Sequence, residues 1–485
     1  MRLKKNQFLI LIITLIFTFL LVYSPHFENP FPIHIDEWHH ITEAIKLKQG
    51  NFQKGLAASK SGFHFFLVII SFFDSLVLIY KFLPAIFAVI SAIVLFFIVR
   101  SKTSHLESGF LIALFSIIFF ASIKSNANLT GLWFFTPLTF SIPFIFIYIF
   151  LFSEGIIRQN NKLILLSLII MLFLIPIHAI SVLFSIPILI IFSLFHLQYL
   201  KREYRLFLIF LLIPLIGIIF YSWSLNLTFI NSIKDLIARL TFKHGWGVLE
   251  TENSFFEIYS LTGYILAIIG IIYIAASKNR LKENLIYILW PVVLLISIFI
   301  FRLNGISFLS PYQRNLYYFS ISLPFLSSLG VYSILKIIKI QFNNKFNSEK
   351  NKIIKVISVL LVLIILFFTF KSYFSIQENI ELYKTIDTKN YEAIKFLSSF
   401  EFGRVISTPE ISEAIFPISG HEPIATIYFY GNRTILDNFF NINSDCEIKK
   451  RIIKDNNVSY VLTENPINCD WEIIYNKNNN FIYKV

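Results

Sequence analysis

Charge is what this chain has least of. Asp, Glu, Lys and Arg make up 15% of its 485 residues, where a soluble domain carries about 25%. That shortage excludes an ordinary soluble globular protein. Acids are scarcer still than bases, 29 against 42, leaving a net charge of +13. Such an excess can mark a nucleic-acid partner. Here the basic residues fall in short loops between apolar runs, which is how membrane topology is encoded, so no nucleic acid is expected. A small-residue cleavage site is missing after the first apolar run, where the flank reads Tyr23-Ser24-Pro25-His26-Phe27-Glu28. Residues 1–22 are therefore expected to remain as an uncleaved first helix. There is no fixed-period repeat, and no low-complexity linker beyond the Asn/Lys-rich loop 341–352. Cysteine is limited to Cys446 and Cys469. Outside a membrane they would close a disulfide, and in a reducing setting they would be two free thiols.

What is present is apolar. Hydrophobic residues reach 56%, with 56 Phe, and the mean hydropathy is +0.69. Runs near 18 residues recur, each long enough to cross the ~30 Å hydrocarbon layer as a helix. The expected fold is a polytopic α-helical membrane protein of about eleven transmembrane helices. They fall at 8–23, 82–99, 108–123, 137–152, 162–177, 180–195, 206–223, 258–276, 284–301, 316–335 and 353–370. The run 63–73 is too short to span and suits a re-entrant or interfacial helix.

Loop charges support that count. With the N-terminus in the cytoplasm, the inner loops hold Arg100 and Lys102; Arg158 and Lys162; Lys201, Arg202 and Arg205; Lys278, Arg280 and Lys282; and the lysines of 336–355. Every second loop is basic, as positive-inside orientation requires. The outer side then receives loops 24–81, 124–136, 225–257 and 302–315, a short turn at His178, and the tail. Four Asn-x-Ser/Thr sequences, beginning at Asn128, Asn226, Asn432 and Asn457, fall on that side. The division is a membrane domain over 1–370 and a small extracytoplasmic α/β domain over 371–485. In the second part apolar runs shorten to strand length, at 404–407, 424–429, 458–462 and 481–485, with helical stretches at 391–400 and 446–455.

The densest cluster of reactive groups is Phe31-Pro32-Ile33-His34-Ile35-Asp36-Glu37-Trp38-His39-His40-Ile41-Thr42-Glu43, in the first outer loop. Pro30 and Pro32 keep the lead-in extended. A helix is expected from Asp36, with Trp38, Ile41 and Ile45 on one face and Gly50 as its stop. Asp36, His40 and Glu43 form a polar face, so the helix should be amphipathic and lie along the membrane surface. The two acids would do no more than cap it in the plainest reading. Pairs spaced i, i+4, Asp36 with His40 and His39 with Glu43, have metal-ligand spacing, but no His-Glu-x-x-His pattern is present.

At these residues the chain resembles the GT-C superfamily of integral-membrane glycosyltransferases, which includes protein O-mannosyltransferases, aminoarabinose transferases and oligosaccharyltransferase subunits. The likeness rests on Asp36-Glu37 after one span, on Ser61-Gly62-Phe63-His64-Phe65-Phe66, on Ile177-His178-Ala179 in a middle outer turn, and on Pro311-Tyr312-Gln313-Arg314-Asn315 in the last outer loop. The resemblance implies transfer of a sugar from a polyprenyl-phosphate carrier, dolichyl or undecaprenyl, to a glycan, lipid or protein acceptor on the outer face, with inversion at the anomeric carbon. Asp36 would be the general base and Glu37 its partner. Arg314 would hold the phosphate beside Tyr312, with Arg302 as the competing ligand. His178, His39, His40 and His64 would line the substrate site, and Lys243 and His244 would add a cation and stacking surface. No cofactor is required by this reading. The second outer loop, Lys124-Ser125-Asn126-Ala127-Asn128-Leu129-Thr130, lacks the acids that oligosaccharyltransferases use for a divalent metal. That departure argues for a metal-independent enzyme moving a single sugar. Two other classes remain: a transporter or flippase, which predicts ionisable residues within spans and paired broken helices, and a membrane assembly factor, which leaves Asp36-Glu37 without a role.

Overall fold

The structure, a computed structural model, describes residues 4–50, 60–106, 108–125, 131–203, 219, 222, 228–243, 255–343, 348–374, 384–426, 433–441 and 444–485. It divides into two compact units. One comprises Met1–Val22, Ala85–Trp133 and Pro137–Gln377; the other comprises Tyr23–Pro84, Phe134–Thr136 and Glu378–Val485.

The first unit is helical. Among the described residues seven helices are long and apolar enough to cross a membrane: Lys5–His26, Leu76–Lys102, Pro137–Ile157, Asn161–His178, Lys278–Asn304, Tyr312–Lys339 and Val356–Phe374. The first two run past the edge of the unit. Three more expected spans are shorter apolar helices, Gly109–Ala121, Ile180–Leu194 and Leu261–Ala275. The expected span 206–223 lies almost wholly outside the described residues. The short run at 63–73 is the helix Ser61–Ile70, below spanning length as expected.

Close packing of helices without a hydrophobic drive needs small residues at the crossing. Gly270, in Leu261–Ala275, and Gly330, in Tyr312–Asn343, meet that need. A Cβ on Gly270 would collide with the Leu326 carbonyl, and one on Gly330 with the Leu266 carbonyl. At one end of this unit the buried Glu154 carboxylate takes ion pairs from Lys102 and Arg158. Lys102 Nζ also donates to the Glu283 carbonyl at 3.1 Å. Three basic loops expected on one side of the membrane are thereby joined. Loops expected on the other side are joined too: Lys124 Nζ donates to the Phe256 carbonyl at 2.7 Å, and a short antiparallel pair links β1 (Thr241–Lys243) to β2 (Ile306–Phe308).

The second unit holds a five-stranded sheet in the order β4-β3-β5-β7-β6, where β3 is Arg404–Ile406, β4 Glu422–Pro423, β5 Val458–Thr463, β6 Glu472–Lys477 and β7 Asn480–Lys484. β3 runs parallel to β4 and β5, and the β5-β7-β6 end is antiparallel. Ile406, Val458, Val461 and Tyr483 pack with Leu436 and Phe439 of the helix Arg433–Phe440 to make its core. The strand-length runs at 404–407, 458–462 and 481–485 are strands as expected. Residues 427–429 of the run 424–429 lie outside the described residues, and 424–426 form no strand.

Cys446 and Cys469 form a disulfide, their Cα atoms 5.7 Å apart and 23 positions apart in sequence. Closing a loop of that size removes roughly 3 kcal/mol of unfolded-chain entropy. The double substitution of both cysteines by Ser is expected to lower the thermal midpoint of the full chain. An unchanged midpoint under oxidising conditions would mean that the bond adds nothing to stability.

Three helices of the second unit position the candidate site. α1, Ile35–Lys48, carries Asp36. α2, Ser61–Ile70, and α3, Pro409–Ser419, pack against it.

Candidate active site at the head of α1

α1 starts where the sequence places it because its first turn is capped from both directions. The His34 imidazole accepts from the Asp36 amide through Nδ1 at 3.1 Å. In return Glu37 Oε2 accepts from the His34 amide at 3.0 Å and from the Ile33 amide at 2.9 Å. This is a capping box with histidine in place of the usual serine or threonine. Trp38 Nε1 donates to the Pro32 carbonyl at 3.0 Å, fixing the proline lead-in. Gly50 takes φ +80°, the left-handed geometry that ends a helix.

The two adjacent acids have different fates. Glu37 is fully buried. Besides the two amides of the lead-in, it accepts through Oε1 from the Phe135 amide at 2.7 Å. Tyr80 holds the same peptide segment, donating its hydroxyl to the Phe135 carbonyl at 2.6 Å, and Phe134 packs on the His34 ring. Burial pushes the Glu37 carboxyl up to about 7, against the pull of three amide donors and with a smaller push from the Asp36 charge. Asp36 instead keeps 32% of its side chain exposed, with Oδ2 3.7 Å from His34 Nδ1.

The polar face of α1 does not lie on a membrane surface. Glu37, His39, His40, Thr42 and Glu43 are all buried, as are Trp38, Ile41 and Ala44 on the apolar face. The expectation of an amphipathic helix lying along the membrane surface is therefore corrected. α3 is folded from residues more than 360 positions away, and together with α2 it covers the strip. His40 Nδ1 and His64 Nε2 are 3.1 Å apart, one ring donating and the other accepting. Burial, with the charge of Lys60 adding, takes His39 down to about 3; burial, with His39 and Lys60 adding, does the same for His64.

These histidines set a pH prediction. A folded pKa near 3, against an ordinary 6.5, means that below pH 6.5 the unfolded chain takes up protons that the folded chain refuses. Stability is then intact above 6.5 and falls on acidification by about 1.4 kcal/mol per pH unit for each histidine, down to the folded value. His64→Gln is expected to flatten that acid limb in thermal melts between pH 6 and 4. A limb as steep as wild type would mean that His64 charges freely in the fold.

The remaining expected site residues belong to the first unit. Arg302 donates from Nε to the Tyr312 hydroxyl at 2.8 Å and lies 4.6 Å from the Phe255 ring centroid. Tyr312 is buried and stacks on Phe301. His178 Nδ1 lies 2.6 Å from Ser181 Oγ, which is 3.0 Å from the Tyr318 hydroxyl. Arg314, half-buried, stands one turn before Tyr318 on the same helix. His178 and the Arg314 turn are thus brought together through Ser181 and Tyr318, neither of which the sequence singled out. A serine three residues after a histidine in an outer turn was the available signal. Lys243 is exposed on β1, opposite Ile306. His244 lies outside the described residues.

Two of the donors on α1 are already taken. Both Glu37 oxygens are taken by amides, and His40 is paired with His64. Among the described residues no three His, Cys, Asp or Glu side chains converge as a ligand set.

No protein-family model and no curated protein sequence matches the chain. Solved structures do. The oligosaccharyltransferase of Archaeoglobus fulgidus, tethered to an acceptor peptide containing the NVT sequon, superposes with a TM-score of 0.58 at 12% identity, over 93% of this chain and 68% of that one. The same organism's AglB, in complex with an inhibitory peptide and a dolichol-phosphate, gives 0.54 at 13% identity, over 93% and 69%. A complex of that oligosaccharyltransferase with Zn and sulfate gives 0.56 at 13%, over 93% and 67%. The chain therefore has the fold of these archaeal oligosaccharyltransferase structures.

Proposed function

We propose that this protein is a membrane glycosyltransferase that moves a sugar from a polyprenyl-phosphate carrier to an acceptor on the extracytoplasmic face, with Asp36 as general base. One observation carries the assignment of the base. Of the three acids on α1, Glu37 and Glu43 are buried and Asp36 alone reaches solvent. It does so at the helix N-terminus, where the dipole favours a carboxylate. Support for the reaction class comes from the fold and from the dolichol-phosphate held by the archaeal relative.

In the proposed step Asp36 takes the proton of the acceptor nucleophile. The nucleophile's electron pair forms the new bond to the anomeric carbon, and the carrier phosphate leaves with the pair of the broken C–O bond. The anomeric configuration inverts, with no covalent enzyme intermediate. Arg314 is the proposed ligand of the departing phosphate, since a guanidinium pairs two phosphate oxygens at once. Glu37 is a positioning residue, fixing the turn that carries Asp36.

The test uses the full chain in liposomes with a labelled sugar on a polyprenyl phosphate and a mixed panel of glycan, lipid and peptide acceptors. Label recovered on an acceptor supports the reading. Label that crosses the bilayer still attached to its carrier, with no transfer, overturns it in favour of a flippase.

A further inference from the structure

Within the second unit lies a cavity of about 220 Å³ that the proposed chemistry does not use. Thr42 and Lys46 of α1, Arg404 of β3, Glu413 and Phe416 of α3 and Glu422 of β4 line it. From this lining we infer that the cavity is a binding site for one neutral sugar ring of a glycan acceptor. The inference rests on the glycosyltransferase reading above and names its acceptor class.

Four features lead there. The charges balance, Lys46 and Arg404 against Glu413 and Glu422, so an occupant with net charge would leave one pair uncompensated in a partly desolvated space. The lining offers donors and acceptors side by side, which suits vicinal hydroxyls, since each hydroxyl both donates and accepts. Thr42 Oγ1 and a second lining hydroxyl, Thr426 Oγ1, are buried and lack a hydrogen-bond partner, although each residue is only 4% exposed. A buried hydroxyl left unpaired is costly, and an occupant rich in hydroxyls would remove that cost. The volume is below the ~300–1,000 Å³ of drug-sized pockets, which limits the occupant to about one ring.

Position connects the cavity to the reaction. Thr42 and Lys46 follow Asp36 by six and ten residues on one helix, so they lie about 9 and 15 Å along its axis at 1.5 Å per residue. A glycan with one ring in the cavity can present a hydroxyl of a neighbouring ring toward the exposed carboxylate. Burial lowers the Lys46 pKa, while Glu43, Glu422 and Glu413 oppose that shift. The ammonium is accordingly a strong hydrogen-bond donor held in poor solvent.

The experiment is direct binding to the full chain in detergent, without lipid donor, using a panel of methyl glycosides of neutral hexoses and saturation-transfer NMR. At least one glycoside is expected to bind. Arg404→Gln and Thr42→Val are each expected to weaken it by about tenfold, and Asp36→Asn to leave it unchanged. Two variants are used because Arg404 also donates to the Asn456 carbonyl at 2.7 Å, so loss in Arg404→Gln alone could reflect misfolding; Thr42→Val keeps shape and removes only the hydroxyl. No binding by any glycoside, unaltered affinity in both variants, or displacement of the glycoside by zwitterionic amino acids at equal concentration overturns the inference. Glycoside binding without any sugar transfer would sink the enzyme and leave the site. Transfer without glycoside binding would sink the site and leave the enzyme.

Discussion

Asp36→Asn is expected to cut sugar transfer by about a hundred- to ten-thousandfold, the usual contribution of a positioned general base, in a chain that folds as before. The substitution is nearly isosteric. It keeps the Asp36 backbone amide that donates to His34 Nδ1, and so keeps the cap. What it removes is a carboxylate oxygen able to accept a proton, together with a few tenths of a kcal/mol of helix-dipole stabilisation. The measurement is transfer of label from a polyprenyl-phosphate sugar at saturating acceptor, beside thermal midpoints of both proteins. Wild-type turnover in Asp36→Asn would end the assignment of the base. A loss of turnover matched by a fall in midpoint would make Asp36 a structural residue.

The site was legible in the sequence to the extent that local rules govern it. Proline before, acid in the first turn and Gly50 after the last one mark α1 without any tertiary information, and the helix Ile35–Lys48 follows that pattern. The longer apolar runs are equally self-declaring, because bilayer thickness sets their length. Three expected spans nonetheless come out as helices of 10–17 residues. An apolar run continues through a turn as easily as through a helix, and hydropathy does not register the difference.

What the sequence could not disclose depends on partners distant along the chain. Nothing in 36–43 indicates that α1 is covered by α2 and α3. An amphipathic helix covered by a polar-lined partner has the same pattern as one lying on a membrane. The same distance hides the difference between two adjacent acids. Asp36 and Glu37 are interchangeable by composition and position. They part only because the Phe135 amide, 98 residues on, meets Glu37 Oε1. Likewise the His178–Ser181–Tyr318 contact spans 140 residues. A histidine in a turn can point to a serine three residues on, but it does not announce Tyr318.

Glu37 carries the second large effect, and it is an effect on stability. Three backbone amides, those of Ile33, His34 and Phe135, end on its two oxygens in a site with no exposure. Glu37→Ala leaves all three unpaired. Each costs about 1–3 kcal/mol when buried without an acceptor, so the turn that presents Asp36 should open and transfer should fall with it. Glu37→Gln keeps one oxygen and aims an amide donor at the third N–H, so its loss should be intermediate. The pH dependence separates this role from a merely steric one. The Glu37 carboxyl sits at about 7 in the fold against an ordinary 4.5. Between those values the folded chain holds a proton that the unfolded chain has released. The Glu37 contribution is therefore greatest below about pH 4.5 and declines as pH rises to about 7, by about 3 kcal/mol in all. Glu37→Gln does not titrate and, like wild type, carries the opposing histidine limb, so the difference between the two proteins isolates this group. The advantage of wild type over Glu37→Gln in thermal melts should shrink from pH 4.5 to pH 7. An advantage that grows over that range would mean that the three amides outweigh burial and hold Glu37 as a carboxylate throughout.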